Sequence, residues 1–116
     1  MAFVSNTVIQ IDIEGRKFTL NVIKKGTVDA IKTIAEKMKS FSEAGESATE
    51  EEFVKRAEKV LNDCKVFINS VLGVDAFDKI MDGKEMDLLY IMEVAKYILN
   101  EYSKAKNKRL SRFNLS

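Results

Sequence analysis

Gly73 and Gly83, ten residues apart, interrupt the helical half of this chain and require it to fold back on itself. Gly73 follows Val71 and Leu72 where a helix would end in a left-handed residue, a conformation glycine reaches without a Cβ penalty. Between the two glycines there is room only for a short helix, with Asp75 placed to cap its first turn and Gly83 to end it. The pattern is therefore helix, short helix, helix.

The opening of the chain obeys a different period. In TVIQIDIEGRKFTLNV, Ile9, Ile11 and Ile13 alternate with polar residues, and Phe18, Leu20 and Val22 do the same after Glu14 and Gly15. This is the signature of a β-hairpin over 7–23. A two-residue Glu14-Gly15 loop would set Ile11 opposite Phe18 and Ile9 opposite Leu20, although Glu-Gly is a weaker turn signal than Asn-Gly and a bulged loop serves the same pattern. A lone hairpin is marginal in water, so its apolar face must cover other elements.

Helical spacing takes over after Gly26. Thr27 is a good N-cap, and Val28, Ile31, Ile34, Ala35, Met38 and Phe41 form one stripe of an amphipathic helix over about 27–41. The small, polar SEAGESA stretch reads as a loop. Thr49 and Glu52 then make a capping box for a helix over about 50–72, whose apolar residues fall in three columns seven residues apart: Phe53/Val60/Phe67, Val54/Leu61/Ile68 and Ala57/Cys64/Val71. A stripe that broad suits a helix buried along a small bundle better than a coiled-coil seam. The short helix spans about 76–82. The last runs over about 86–105 and buries Leu88, Ile91, Met92, Ala95, Ile98, Leu99 and Tyr102, while Leu89, Tyr90, Val94 and Tyr97 lie outside that stripe and together suggest a partner surface. The expected fold is α+β and mostly α: an N-terminal hairpin packed on three long helices and one short one, in a single domain over 1–105.

Length and composition support one domain and narrow the chemistry. At 116 residues with 46% hydrophobic and 32% charged side chains, the chain can bury one core and has no bias toward disorder. No apolar run approaches the ~20 residues of a membrane span, and MAFVSNTVIQIDIEG has neither the charged start nor the apolar block of a secretion signal, so a soluble intracellular protein is expected. With no histidine and one cysteine, the common zinc sites and the Ser–His–Asp and Cys–His arrangements are excluded. Cys64 falls on an apolar helix face and reads as core. Glu43, Glu46, Glu50, Glu51 and Glu52 read as a solvated helix start. Asp75, Asp78 and Asp82 lack the twelve-residue calcium loop with its terminal glutamate. GxSxG, SxxK and GxxxxGK[ST] are absent. No catalytic, metal-binding or cofactor-binding residue is assigned, and the expectation is a protein that is not an enzyme.

Charge is uneven along the chain. Five of the 19 basic residues, Lys104, Lys106, Lys108, Arg109 and Arg112, follow Glu101, where no acid remains. Residues 106–116 read as a basic, flexible tail, with Leu110, Phe113 and Leu115 interleaved as in segments that order on an acidic partner. A small nucleic-acid-binding regulator would place a basic recognition helix after a tight turn, whereas the helix after Gly83 is neutral to acidic and strongly apolar.

The hairpin I-x-I-x-G-x-x-F-x-L at 11–20 and the run F-I-N-S-V-L-G-x-D-A-F-D-K-I-M-D-G-K-x-x-D-L-L-Y-I at 67–91 resemble the small tail assembly chaperones of long-tailed phages and prophages of Gram-positive bacteria. The corresponding pieces are Val71, Leu72 and Gly73, then Asp78 through Lys84, then Leu88 onward, with Met81 where the family often carries an aromatic. The resemblance covers nearly the whole chain, and its motifs are structural. It implies a non-enzymatic protein of the bacterial host cytoplasm that binds the tape measure protein and the major tail subunit while the tail tube assembles, and that is absent from the finished virion. It also implies a longer product made by a programmed frameshift near the end of the short frame. Repeated copies along one client make self-association to a homo-oligomer compatible with this role. Tyr90, Val94 and Tyr97 on the outer side of the final helix, with Lys104, Lys106, Lys108, Arg109, Arg112 and Phe113, are the candidate partner contacts. The competing arrangement has Tyr90, Val94 and Tyr97 packed against Ile9, Ile11, Phe18 and Leu20 within one monomer. A structural phage-tail component would share this composition.

Overall fold

The computed structural model describes residues 8–44 and 49–113, with the side chains of the last helix described as far as Lys108. Residues 1–7, 45–48 and 114–116, among them Thr7 of the expected hairpin and most of the SEAGESA stretch, lie outside the described residues. The chain is α+β and mostly helical: β1 (Val8–Ile13), β2 (Arg16–Asn21), α1 (Lys25–Ala44), α2 (Glu50–Leu72), α3 (Ala76–Met81) and α4 (Leu88–Phe113).

β1 and β2 form a two-stranded antiparallel sheet in which Ile11 faces Phe18 and Ile9 faces Leu20. Both loop residues have positive φ, Glu14 at 49° and Gly15 at 85°, the backbone of a type I′ turn that matches strand twist. The Gly15 amide donates to Asp12 Oδ1 at 3.0 Å, which helps a weak turn sequence close. Ile11, Ile13, Phe18, Leu20 and Val22 are buried, so the hairpin presents one apolar face. β2 lays that face on α2 and α3, and β1 lays it on α4.

α2 is the central element, with α1 and α4 both packed along it and only marginal contact between those two. Thr49 caps α2 as its sequence requires, its Oγ1 accepting from the Glu52 amide at 3.2 Å. α1 begins before Thr27, because Asn21 Oδ1 accepts from the amides of Ile23 and Lys24 and turns the chain early. Thr27 is therefore inside the helix and buried, not the N-cap that its sequence position suggested. Cys64 is fully buried beside Val60, Phe67, Ile68 and Val71, and burial pushes its thiol up to about 11.

The Gly73–Gly83 break is built differently from the expected pair of left-handed caps. Gly73 closes α2 at φ 124°, ψ 157°, an extended positive-φ conformation open almost solely to glycine, and its amide donates to Asn69 O at 3.2 Å. Asp75 makes no side-chain cap on α3. Asn69 reaches across from the last turns of α2 instead, its Oδ1 accepting from the Phe77 amide at 2.8 Å. At the far end, Asp82 (φ −55°, ψ 120°) and Gly83 (φ 77°) form a type II turn closed by Lys84 N to Met81 O at 2.9 Å. Asp87 then caps α4, accepting from the amides of Leu89 at 3.0 Å and Tyr90 at 3.4 Å.

α4 continues to Phe113, beyond the expected end near 105, so residues 106–113 are its last two turns. No glycine or proline interrupts KAKNKRLSRF, and lysine and arginine complement the negative end of the helix dipole.

Candidate functional site

α4 has more apolar surface than its neighbours cover. Ile91, Val94, Ala95, Ile98 and Tyr102 lie in the core, between α2 and the hairpin. On the flank toward α1, Met92 and Leu99 are only half-buried and Leu89 is 72% exposed. α1 supplies the opposite wall with Ala35 and Met38, and Lys39, Glu93, Lys96 and Asn100 complete the rim. The result is an open groove of about 510 Å³ between one turn of α1 and three turns of α4, both of which pack on α2. Its two methionine walls are flexible and polarizable, the chemistry of surfaces that repack around apolar ligands.

The candidate contacts proposed from sequence divide on the other flank of α4. Val94 is 6% exposed and belongs to the core, a correction of its expected place on the outer side. The physical reason is the hairpin: β1 packs against α4 and rotates the buried arc toward Val94, leaving Met92 and Leu99 near the edge. Tyr90 is half-buried, and its hydroxyl donates to Glu14 Oε2 at 2.7 Å, so its polar end is already engaged within the monomer. Tyr97 remains exposed, at 38%. Lys104 pairs with Glu101 at 3.1 Å and, like Lys106 and Lys108, is exposed. Spacings of seven and four put Tyr97, Lys104 and Lys108 on one stripe, with Lys106 on the opposite side of the helix. Arg109, Arg112 and Phe113 belong to α4, but their side chains lie outside the described residues.

Other hollows carry ion pairs and hydrogen bonds among their own lining residues. Near the hairpin turn, Glu14 accepts from Lys84 Nζ at 2.8 Å as well as from Tyr90, and Arg16 bonds Asp82 at 3.1 Å. This clasp holds the Glu14 carboxyl below its ordinary value, chiefly through the Lys84 and Tyr90 bonds. It also contributes, after burial, to pushing the Tyr90 phenol up to about 12. Between α1 and α2, Lys37 bridges to Asp63 at 3.2 Å and Arg56 donates to Ala44 O at 3.3 Å. Among the described residues, no group of three or more acidic or cysteine side chains is placed to hold a metal ion, and no helix is long and apolar enough to cross a membrane.

The groove was half legible in the sequence. Leu89 lies outside the predicted buried stripe, whereas the helical period places Met92 and Leu99 in the core. The signal that would have located it is the run Leu88 to Met92, five consecutive apolar residues whose arc no single neighbour can cover. Compared with protein-family models, curated proteins and solved structures, the chain matches none of them.

Proposed function

We propose that this protein is a non-enzymatic assembly chaperone of a long-tailed phage or prophage, binding the tape measure protein, and the major tail subunit as a second client, during tail-tube assembly. The observation that carries the reading is the open, methionine-walled groove between α1 and α4, a surface fitted to hold a protein segment. The motif at 67–91 and the hairpin at 11–20 supply the resemblance that names the client. Tyr97, Lys104 and Lys108 offer a second, basic contact stripe for an acidic client surface.

Co-expression with a tagged tape measure protein tests this. The chaperone should co-purify with its client from infected or induced cells and be missing from intact particles. Stoichiometric presence in finished virions would replace the chaperone reading with that of a structural tail component.

A further inference from the structure

We infer that the α1/α4 groove receives one amphipathic helix of a partner protein, seated by apolar side chains and edged with acidic residues. The inference rests on the reading of this chain as a partner-binding protein and names the chemistry of the partner at that site.

Shape argues for a helix. α1 and α4 each lie along α2 but hardly touch one another, so the space between them is a trough bounded by two helices. Filling such a trough with another helix completes a four-helix arrangement by the ordinary packing of ridges into grooves. The lining residues repeat at helical spacing: Ala35 and Met38 on one wall, Leu89, Met92 and Leu99 on the other. From Leu89 to Asn100 the wall rises about 17 Å, roughly three turns, enough to seat apolar anchors at i, i+3 or i+4, and i+7. Leu89, at 72% exposed, is the largest uncovered apolar side chain in the lining.

Charge selects among helices. Lys39 rims the α1 wall and Lys96 the α4 wall, against one acid, Glu93. Lys39 reaches Glu43 only at 3.9 Å across an exposed surface, so it is available to a closer carboxylate. A helix with glutamates or aspartates flanking its apolar stripe meets lysines on both walls, and a lysine-edged helix of the same apolar pattern meets like charge.

The test uses the full chain and two fluorescent synthetic peptides of about 15 residues, sharing one leucine stripe and edged by glutamate or by lysine. Anisotropy titrations should show the glutamate-edged peptide binding about tenfold tighter at low salt, with the gap narrowing as salt rises. Leu89→Asp should weaken that peptide about tenfold, and Lys39→Glu with Lys96→Glu should reverse the preference. Val66→Asp, an exposed position on α2 outside the groove lining, should leave binding within about twofold and controls for nonspecific effects. Equal binding of both peptides, or unchanged binding by Leu89→Asp, overturns the inference. So does sedimentation showing that a second copy fills the groove and that Leu89→Asp dissolves the dimer. Peptide binding without capture of the tape measure protein would sink the chaperone reading and leave the groove standing. Capture unaffected by Leu89→Asp would do the reverse.

Discussion

Gly73 shows how one residue fixes the path of the chain. Its φ of 124° lies where other residues are strained, and no atom lies within 4 Å of where a Cβ would stand, so the cost of Gly73→Ala is backbone strain alone. We expect a loss of about 1–3 kcal/mol in denaturant unfolding, with little change in the slope of the transition. Asn69→Ala should cost about 1 kcal/mol by leaving the Phe77 amide uncapped, whereas Asp75→Ala, which removes no side-chain cap, should be nearly silent. The glycine and the Thr49 cap are legible in the sequence because each acts on residues within four positions of itself. Asn69 is not, since its partner is eight residues away and is brought near only by the turn it stabilises. The clasp at Glu14 has a pH signature. Tyr90 is raised from 10.0 to about 12, so the folded state favours the neutral phenol, and that contribution is whole below pH 10 and lost as pH rises toward 12. Glu14 is lowered from 4.5, so its contribution is present above pH 4.5 and fades as pH falls through its folded value. Thermal melts of Tyr90→Phe should lose less stability than wild type between pH 10 and 12; equal losses would remove Tyr90 from the account.

At the scale of elements, the hairpin was legible down to its register, because alternation assigns the faces and a two-residue loop leaves one pairing. Its role is to close the core from the β1 side, and Ile11 is fully buried there. Ile11→Ala should destabilise the protein by about 2–5 kcal/mol in equilibrium unfolding, the range for truncating a large core aliphatic. A loss no larger than that of a surface substitution would mean that the hairpin is peripheral to the fold. α4 was less legible. Its apolar arc is wider than one neighbour can cover, and helical period alone cannot say which edge stays open. β1 packs on α4 and Val94 is buried, whereas the weak α1 contact leaves Met92 and Leu99 at the margin. The end of α4 is harder to read for another reason: a run of basic residues has the composition of a solvated tail, yet lysine, arginine and leucine are good helix formers, and the helix runs to Phe113.

The whole molecule is a slab, 58 × 36 × 20 Å, with a radius of gyration of 16.0 Å against about 13 Å for a compact chain of this length. A thickness of 20 Å holds two layers of helix or sheet, so an element covered by only one neighbour keeps an open flank. α1 is in that position, packed mainly on α2, and α4, covered by α2 and β1, keeps open the flank that faces α1, so the groove between them follows from the layering, not from any one residue. An elongated body with an apolar trough on one face is suited to lying along a longer partner. The central claim is that this trough is where the client sits during assembly, and the most direct measurement is co-purification of the tape measure protein with wild-type chain and with Leu89→Asp from the same host. Wild type should capture the tape measure protein, the variant about tenfold less of it with an unchanged melt, and finished particles should hold no chain. Equal capture by both proteins, or none by either, would contradict it.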